Sequence, residues 1–397
     1  MYRPNLFALT AVLTLATPSA ALACGGFFCD AVFDPVVQTA ERVLFRVNPD
    51  DTITSVIEIQ FEGEPTDFAW VLPLSEAIDP ESVRTAPAGI FDALDQLTAP
   101  RFVTFSATGD SQASAAGLHG GCSGFGYGGM GVEGDFVPPD TSGVEVVGNS
   151  VVGPYAIEVI TADNPANLLT WLQINGYQTP ASAQQPIAAY VSSGGAFLGV
   201  KLNPSASSGP IDALEITFPG TEPSLPLLLT AVAAVDNMDI TAYVLATERY
   251  SPANYVEHAF DWNQVQWTGE GRTDYESRLP AEVDSRGGRA FVTEFAGATQ
   301  WLPLVDGGGS RLSGTPPTPM QAASSLLRTG DYISRFRTLI SANEMTEDPV
   351  WLPAPEQADV ANEHAIGANG AATAGFPLWA FGLLVLGVSR RWVFGCK

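Results

Sequence analysis

In the segment TSVIEIQFEG, residues 54–63, Ile57, Ile59 and Phe61 alternate with Glu58, Gln60 and Glu62. A period of two sends successive side chains to opposite faces, so the pattern suits a half-buried β-strand and fits no helix. ERVLFRV, just upstream, repeats it with Val43, Phe45 and Val47 set against Arg42, Leu44 and Arg46. DFAWVLPL supplies a third strand, stopped by Pro73. Strands with one apolar face require a second layer to cover it, which limits the chain to sheet-based architectures.

The helical signals are fewer. Ile90, Phe91, Leu94 and Leu97 share one face of a helix expected from Pro87 to Leu97. YAIEVITADNPANLLTWLQINGYQTP, residues 155–180, is the best-defined unit. Tyr155 to Thr161 reads as a strand. Asp163 or Asn164 caps a helix that accepts Pro165 in its first turn, and Leu168, Leu169 and Leu172 form its apolar stripe. Gly176 fits the left-handed position past the last turn, and Pro180 prevents resumption. A second short helix, about Ser182 to Ser192, leads into the strand AFLGVKL, giving a strand-helix-helix-strand module. A last helix is expected over Pro319 to Ser341, and residues 107–150 read as a glycine-rich surface loop.

One internal echo stands out. Val47-Asn48-Pro49, Glu58-Ile59-Gln60-Phe61 and Ala69-Trp70-Val71-Leu72 recur in order as Leu202-Asn203-Pro204, Glu215-Ile216-Thr217-Phe218 and Ala242-Tyr243-Val244-Leu245. Two related three-stranded units would explain it; so would the general likeness of amphipathic strands. The fold class is α+β (mixed α/β) and strand-rich.

The two ends carry a different message. Residues 1–23 place Arg3 before an apolar run from Leu6 to Ala16 and finish on Ala21-Leu22-Ala23, the layout of a secretory signal cleaved after Ala23. Residues 371–388 form an 18-residue stretch without charge, followed by Arg390 and Arg391. That is about the minimum length for a membrane-spanning helix, and the arginines would hold the C-terminus in the cytoplasm. The expected organisation is a signal peptide over 1–23, an exported domain over 24–351 and a linker over 352–375. A transmembrane or sorting helix with its core at 376–389 and a basic tail over 390–397 follow. The net charge of −25 repels phosphate backbones, so nucleic acid is not an expected partner.

CGGFFC at 24–29, QTAERVLF, DFAWVLPL, LLTWLQINGYQTP and YISRFRTLISANEMTEDPVW occur in the order seen in a bacterial family called domain of unknown function 2330. The chain resembles that family over roughly residues 24–352. The resemblance implies an extracytoplasmic protein, often with a C-terminal anchor or sorting tail. It implies no reaction and assigns no catalytic residue.

Chemistry has few candidates. His119, His258 and His364 are the only histidines, and no G-x-S-x-G elbow, H-E-x-x-H, phosphate-binding glycine loop or EF-hand loop occurs. A hydrolytic triad assembled from distant segments would use His258 as its base. Cys24, Cys29 and Cys122 with His119 form a ligand set chemically suited to tetrahedral zinc. In an oxidising compartment the same three cysteines are disulfide candidates, and the pairings 24–29, 24–122 and 29–122 all stay open. Gly25 and Gly26 let the chain double back and favour 24–29. A lipid on Cys24 is disfavoured, because Ala21 stands where such a signal carries leucine.

The leading expectation is a non-enzymatic cell-envelope or surface protein in a binding or structural role, with no cofactor. The bilayer is its partner through the C-terminal helix, beside an envelope or surface partner. An extracytoplasmic hydrolase and a thiol-based metal-binding module are the alternatives.

Overall fold

The computed structural model describes residues 37–62, 69–105, 141–177, 179–202, 212–269, 272–304, 317–327, 330–367 and 372–373. Cys24, Cys29, Cys122, His119, Ala23 and residues 374–397, with the expected helix core at 376–389, lie outside them. Among the described residues no helix is long and apolar enough to cross a membrane.

The first half of the chain runs β1 (Val37–Val47), β2 (Thr52–Glu62), β3 (Ala69–Leu74), β4 (Arg84–Thr85), α1 (Ile90–Thr98), β5 (Arg101–Phe105), β6 (Val144–Val152), β7 (Tyr155–Ala162), α2 (Pro165–Ile174), α3 (Gln184–Ser192) and β8 (Ala196–Leu202). Then come β9 (Leu214–Pro219), α4 (Leu227–Thr230), β10 (Ala234–Ala246), β11 (Tyr250–Pro252), β12 (Val256–His258), β13 (Trp267–Gly269), β14 (Arg272–Thr273) and α5 (Tyr275–Asp284). The chain closes with β15 (Ala290–Ala298), α6 (Pro319–Leu326), β16 (Tyr332–Ile340), β17 (Trp351–Pro353), β18 (Glu363–Gly367) and β19 (Ala372–Thr373).

Eight strands form the main sheet in the order β12-β15-β16-β10-β1-β2-β9-β4, and four form a second in the order β3-β8-β7-β6. The two sheets share a core: Val43, Phe45, Ile53 and Ile57 of the larger pack with Trp70, Leu72, Val159 and Leu198 of the smaller. The opposite face of the main sheet is covered over Leu44, Val56, Tyr243 and Ile333 by Phe91, Leu94 and Leu97 of α1 and Ala323 of α6. The centre of β1 is therefore buried on both sides, with Val43, Leu44, Phe45 and Arg46 all buried. This corrects the half-buried expectation for ERVLFRV. A strand between two covering layers needs apolar groups, or paired charges, on both faces.

The strand-helix-helix-strand module is present as β7-α2-α3-β8, with its helices over the outer face of the smaller sheet. Asn164 caps α2 by accepting from the backbone N–H groups of Ala166 and Asn167, and Gly176 follows at φ +79°. Helix α1 begins at Ile90 because Gly89 before it takes φ +73°.

Four expectations change. Pro73 does not stop its strand: β3 continues to Leu74, and the missing N–H is tolerated because β3 is a sheet edge. The glycine-rich loop ends earlier than 150, since β6 occupies Val144–Val152 and pairs with β7. The helix expected over 319–341 is α6 only to Leu326, after which Gly330 (φ +93°) precedes strand β16. β16 sits between β15 and β10, where its isoleucines and aromatic residues have cross-strand neighbours. Residues 352–367, read as linker, are built into the fold: β18 pairs in parallel with β5, and Ile366 is fully buried. The Asn362 amide donates to the carbonyls of Leu97 and Ala99 at the end of α1, at 3.1 and 3.2 Å.

The two three-stranded units do not match. β1 and β2 are antiparallel neighbours in the main sheet, with β3 in the smaller one. Of their counterparts, β8 lies in the smaller sheet, while β9 and β10 lie in the main sheet without pairing to each other. The echo reflects a shared strand pattern.

Candidate functional site

The strand register gathers charge on one face of the main sheet. Arg42 on β1 stands opposite Glu58 on β2 and Thr241 on β10. Thr241 faces Arg337 on β16, and Tyr243, two residues on, faces Arg335. On β15 the ladder slips between Thr293 and Phe295, and Glu294 lies within that irregularity. Such a slip re-aims a side chain, and the Glu294 carboxylate, fully buried, pairs with Nε of Arg335.

Helices α1 and α5 complete the cluster from above. Arg42 donates to Glu58 at 2.6 Å and to Asp92 and Asp95 of α1 at 2.9 Å each. Arg335 also donates to Asp95 and to the hydroxyl of Tyr243, which itself donates to Asp95 at 2.5 Å. Arg337 makes two hydrogen bonds to Asp239, at 3.0 and 2.7 Å, and two to Glu276 of α5, both at 2.8 Å. Tyr275 donates to Glu294 at 2.5 Å. A cleft of about 410 Å³ opens among these groups, with Phe102 and Tyr275 on its wall.

The accessible charge is one-sided. The guanidinium-bearing side chains of Arg335, Arg337 and Arg42 are 6, 14 and 17% exposed, whereas Glu276 and Asp92 are 65 and 66% exposed. Burial alone would raise Asp95, but the Arg335 guanidinium and the Tyr243 hydroxyl outweigh it and hold the carboxyl below the usual range. Glu58 goes the other way, because burial outweighs its pairing with Arg42. Burial also lifts the hydroxyls of Tyr243 and Tyr275 well above the ordinary tyrosine value, so both remain donors. A ligand entering this cleft meets carboxylate oxygens and aromatic edges; the arginines beneath are already engaged.

Beside the cluster, Glu41 shares its face of β1 with the apolar partners Ile59 and Ile240. Burial pushes its carboxyl up to about 7, and one hydrogen bond from the Gln38 amide, at 2.9 Å, offsets only part of that. A carboxyl whose folded pKa lies above the unfolded value binds protons more tightly when folded. Its contribution is complete below the unfolded pKa near 4.5 and is lost as pH rises through about 7. Glu41→Gln should therefore flatten the decline in stability between pH 5 and 8, by up to about 3 kcal/mol at the alkaline end. Urea unfolding at a series of pH values measures this; an unchanged slope would show that Glu41 is not titrating there.

The sequence-predicted residues do not converge. His258 binds Glu282 through Nε2 at 3.1 Å, and neither it nor His364 is hydrogen-bonded to a hydroxyl or thiol among the described residues. His364 stacks on Trp262 with ring centres 3.9 Å apart, and burial lowers its pKa to about 4, so it is neutral. The zinc and disulfide candidates Cys24, Cys29, Cys122 and His119 lie outside the described residues; within those residues no group of three His, Cys, Asp or Glu side chains is placed to hold a metal ion. The arginine cluster was missed. Its signal was arginine at even spacing inside otherwise apolar strands, four apart in RVLFR and two apart in SRFR.

No curated protein matches the chain. One solved structure, of a mutated baculovirus P35 after caspase cleavage, aligns at 11% identity over 55% of this chain and 77% of that one, with a TM-score of 0.27. A superposition that slight carries no argument about fold or function. The family model described as an uncharacterized protein conserved in bacteria, domain of unknown function 2330, matches residues 18–348, and the chain belongs to that family.

Proposed function

We propose that the chain is a non-enzymatic binding protein of the bacterial cell envelope, and that the cleft between α1 and α5 receives a cationic group of its ligand. Export is supported by the signal layout of residues 1–23, and membrane attachment by the uncharged stretch at 371–388 ahead of Arg390 and Arg391. The observation that carries the ligand class is the inversion of exposure within the cluster. Guanidinium groups lie sheltered and paired, while Glu276 and Asp239 line the cleft and stay more exposed. Phe102 and Tyr275 add ring surface, which favours ammonium and guanidinium groups over hydrated metal ions.

Fractionation should recover the full chain with envelope membranes, and titration calorimetry on that material should detect agmatine, a small molecule with an amine at one end and a guanidinium at the other. Glu276→Gln should weaken binding by about tenfold, which corresponds to ~1.4 kcal/mol. Recovery from the cytosol would end the envelope reading. Preference for succinate over agmatine, or an affinity indifferent to Glu276→Gln, would end the cation reading.

A further inference from the structure

The two main sheets have four outer edges, and three are blunted. β12 and β4, which close the eight-stranded sheet, are three and two residues long. β3, one edge of the smaller sheet, is largely buried and carries Pro73. Natural sheets protect their edges by these devices, because an open edge is a template for another strand. The fourth edge departs from the pattern. β6 is nine residues long, has no strand on its far side among the described residues, and contains neither proline nor lysine. Val146, Val147 and Val151 on it are 38, 48 and 66% exposed.

The surroundings of β6 narrow what it can accept. Its register against β7 slips between Val146 and Gly148, so Gly148–Val152 is the regular part of the edge. One face is sheltered there, since Pro80 lies 2.9 Å from where a Cβ on Gly148 would sit. The other face opens on a cavity of about 480 Å³ whose lining includes Asn149, Val151, Glu158, Tyr177 and Lys201. The Lys201 ammonium is turned to the Asn175 carbonyl at the end of α2 and lies 4.3 Å above the Tyr177 ring. It forms no ion pair with Glu158, so the cavity holds one ammonium and, beside it, one carboxylate without a salt-bridge partner among the described residues.

We propose that β6 is a docking edge for an extended peptide segment of a partner protein, which adds a strand along Gly148–Val152 and places a basic side chain in the cavity beside Glu158. Backbone hydrogen bonds supply the affinity in such an arrangement, and alternate side chains supply the specificity. Charge selects a basic partner over a second copy of this chain: each copy carries −25, and Glu145 lies on the same strand. The inference is independent of the α1–α5 cleft.

The test uses the full chain with a fluorescein-labelled ten-residue peptide alternating valine and lysine, and a second alternating valine and glutamate. Anisotropy should show binding of the lysine peptide at least tenfold tighter than the glutamate peptide, with amide exchange slowed across residues 148–152. Val151→Lys puts a charge on an exposed position, so it should leave thermal unfolding unchanged and weaken peptide binding at least tenfold. Glu158→Gln should reduce the preference for lysine. Equal binding of the two peptides, or indifference to Val151→Lys, would overturn the proposal. So would a dimer dissolved by Val151→Lys, which would assign the edge to a second copy. A loss of peptide binding in Glu276→Gln would assign the binding to the cleft and equally defeat the edge reading.

Discussion

Replacing Arg335 with methionine should lower the free energy of unfolding by about 3–5 kcal/mol, measured by urea denaturation near neutral pH. The side chain of Glu294 is fully buried, and Arg335 is its direct ion-pair partner; the nearer nitrogen of Arg337 is 3.7 Å away. Removing Arg335 leaves that carboxylate with the Tyr275 hydroxyl as its main support, in a region that water does not reach. Breaking one side of a buried pair costs more than the pair contributes, because the remaining charge keeps its desolvation penalty. The double variant Arg335→Met with Glu294→Gln should recover part of the loss, with a coupling of at least ~1 kcal/mol between the two positions. A single variant within 1 kcal/mol of the parent would mean that the network reorganises freely, and would undermine the rigid cleft on which the cation reading depends.

Trp351→Ala should be comparably destabilising, by about 3–5 kcal/mol. Trp351 on β17 is completely buried, and its ring lies 5.8, 5.3 and 6.1 Å from those of Phe45, Phe291 and Phe336. These rings come from β1, β15 and β16, so one indole fills the space between three strands of the main sheet and the chain that crosses beneath them. Its removal opens a cavity that four separate elements would have to close together, which a close-packed interior does only in part. Thermal and urea unfolding measure the loss. The family match stops at residue 348, so a neutral Trp351→Ala would show that the fold is complete without the following segment, whereas a large loss extends the folding unit past it.

Local patterns were legible where a segment's own residues decide its conformation. The α2 cap shows this: Asn164 and Pro165 fix where the helix begins and Gly176 where it ends, whatever packs above. β2 and the α1 stripe were readable for the same reason. YISRFRTLI was not, because arginines spaced by two beside bulky apolar residues also suit a charged helix face. Only the neighbours β10 and β15 show that these arginines face carboxylates across a sheet. Residues 352–367 misled in the opposite sense. Their proline, alanine and acidic content reads as a spacer, while the Asn362 amide docks the segment on carbonyls at the end of α1.

The order of residues alone determined the strand-rich α+β class, the β7-α2-α3-β8 module and the family, because period, capping and motif order are properties of short stretches. The tertiary structure alone decided that Arg42, Asp95, Asp239, Glu276, Arg335 and Arg337 line one cleft above the buried Glu294, and that β6 is the long open edge among the described residues. Those facts depend on which strands become neighbours. That pairing joins residues far apart in the chain, as in the ion pair between Asp95 and Arg335, 240 positions apart, and it is selected by burial of the whole core, for which no single segment carries the information.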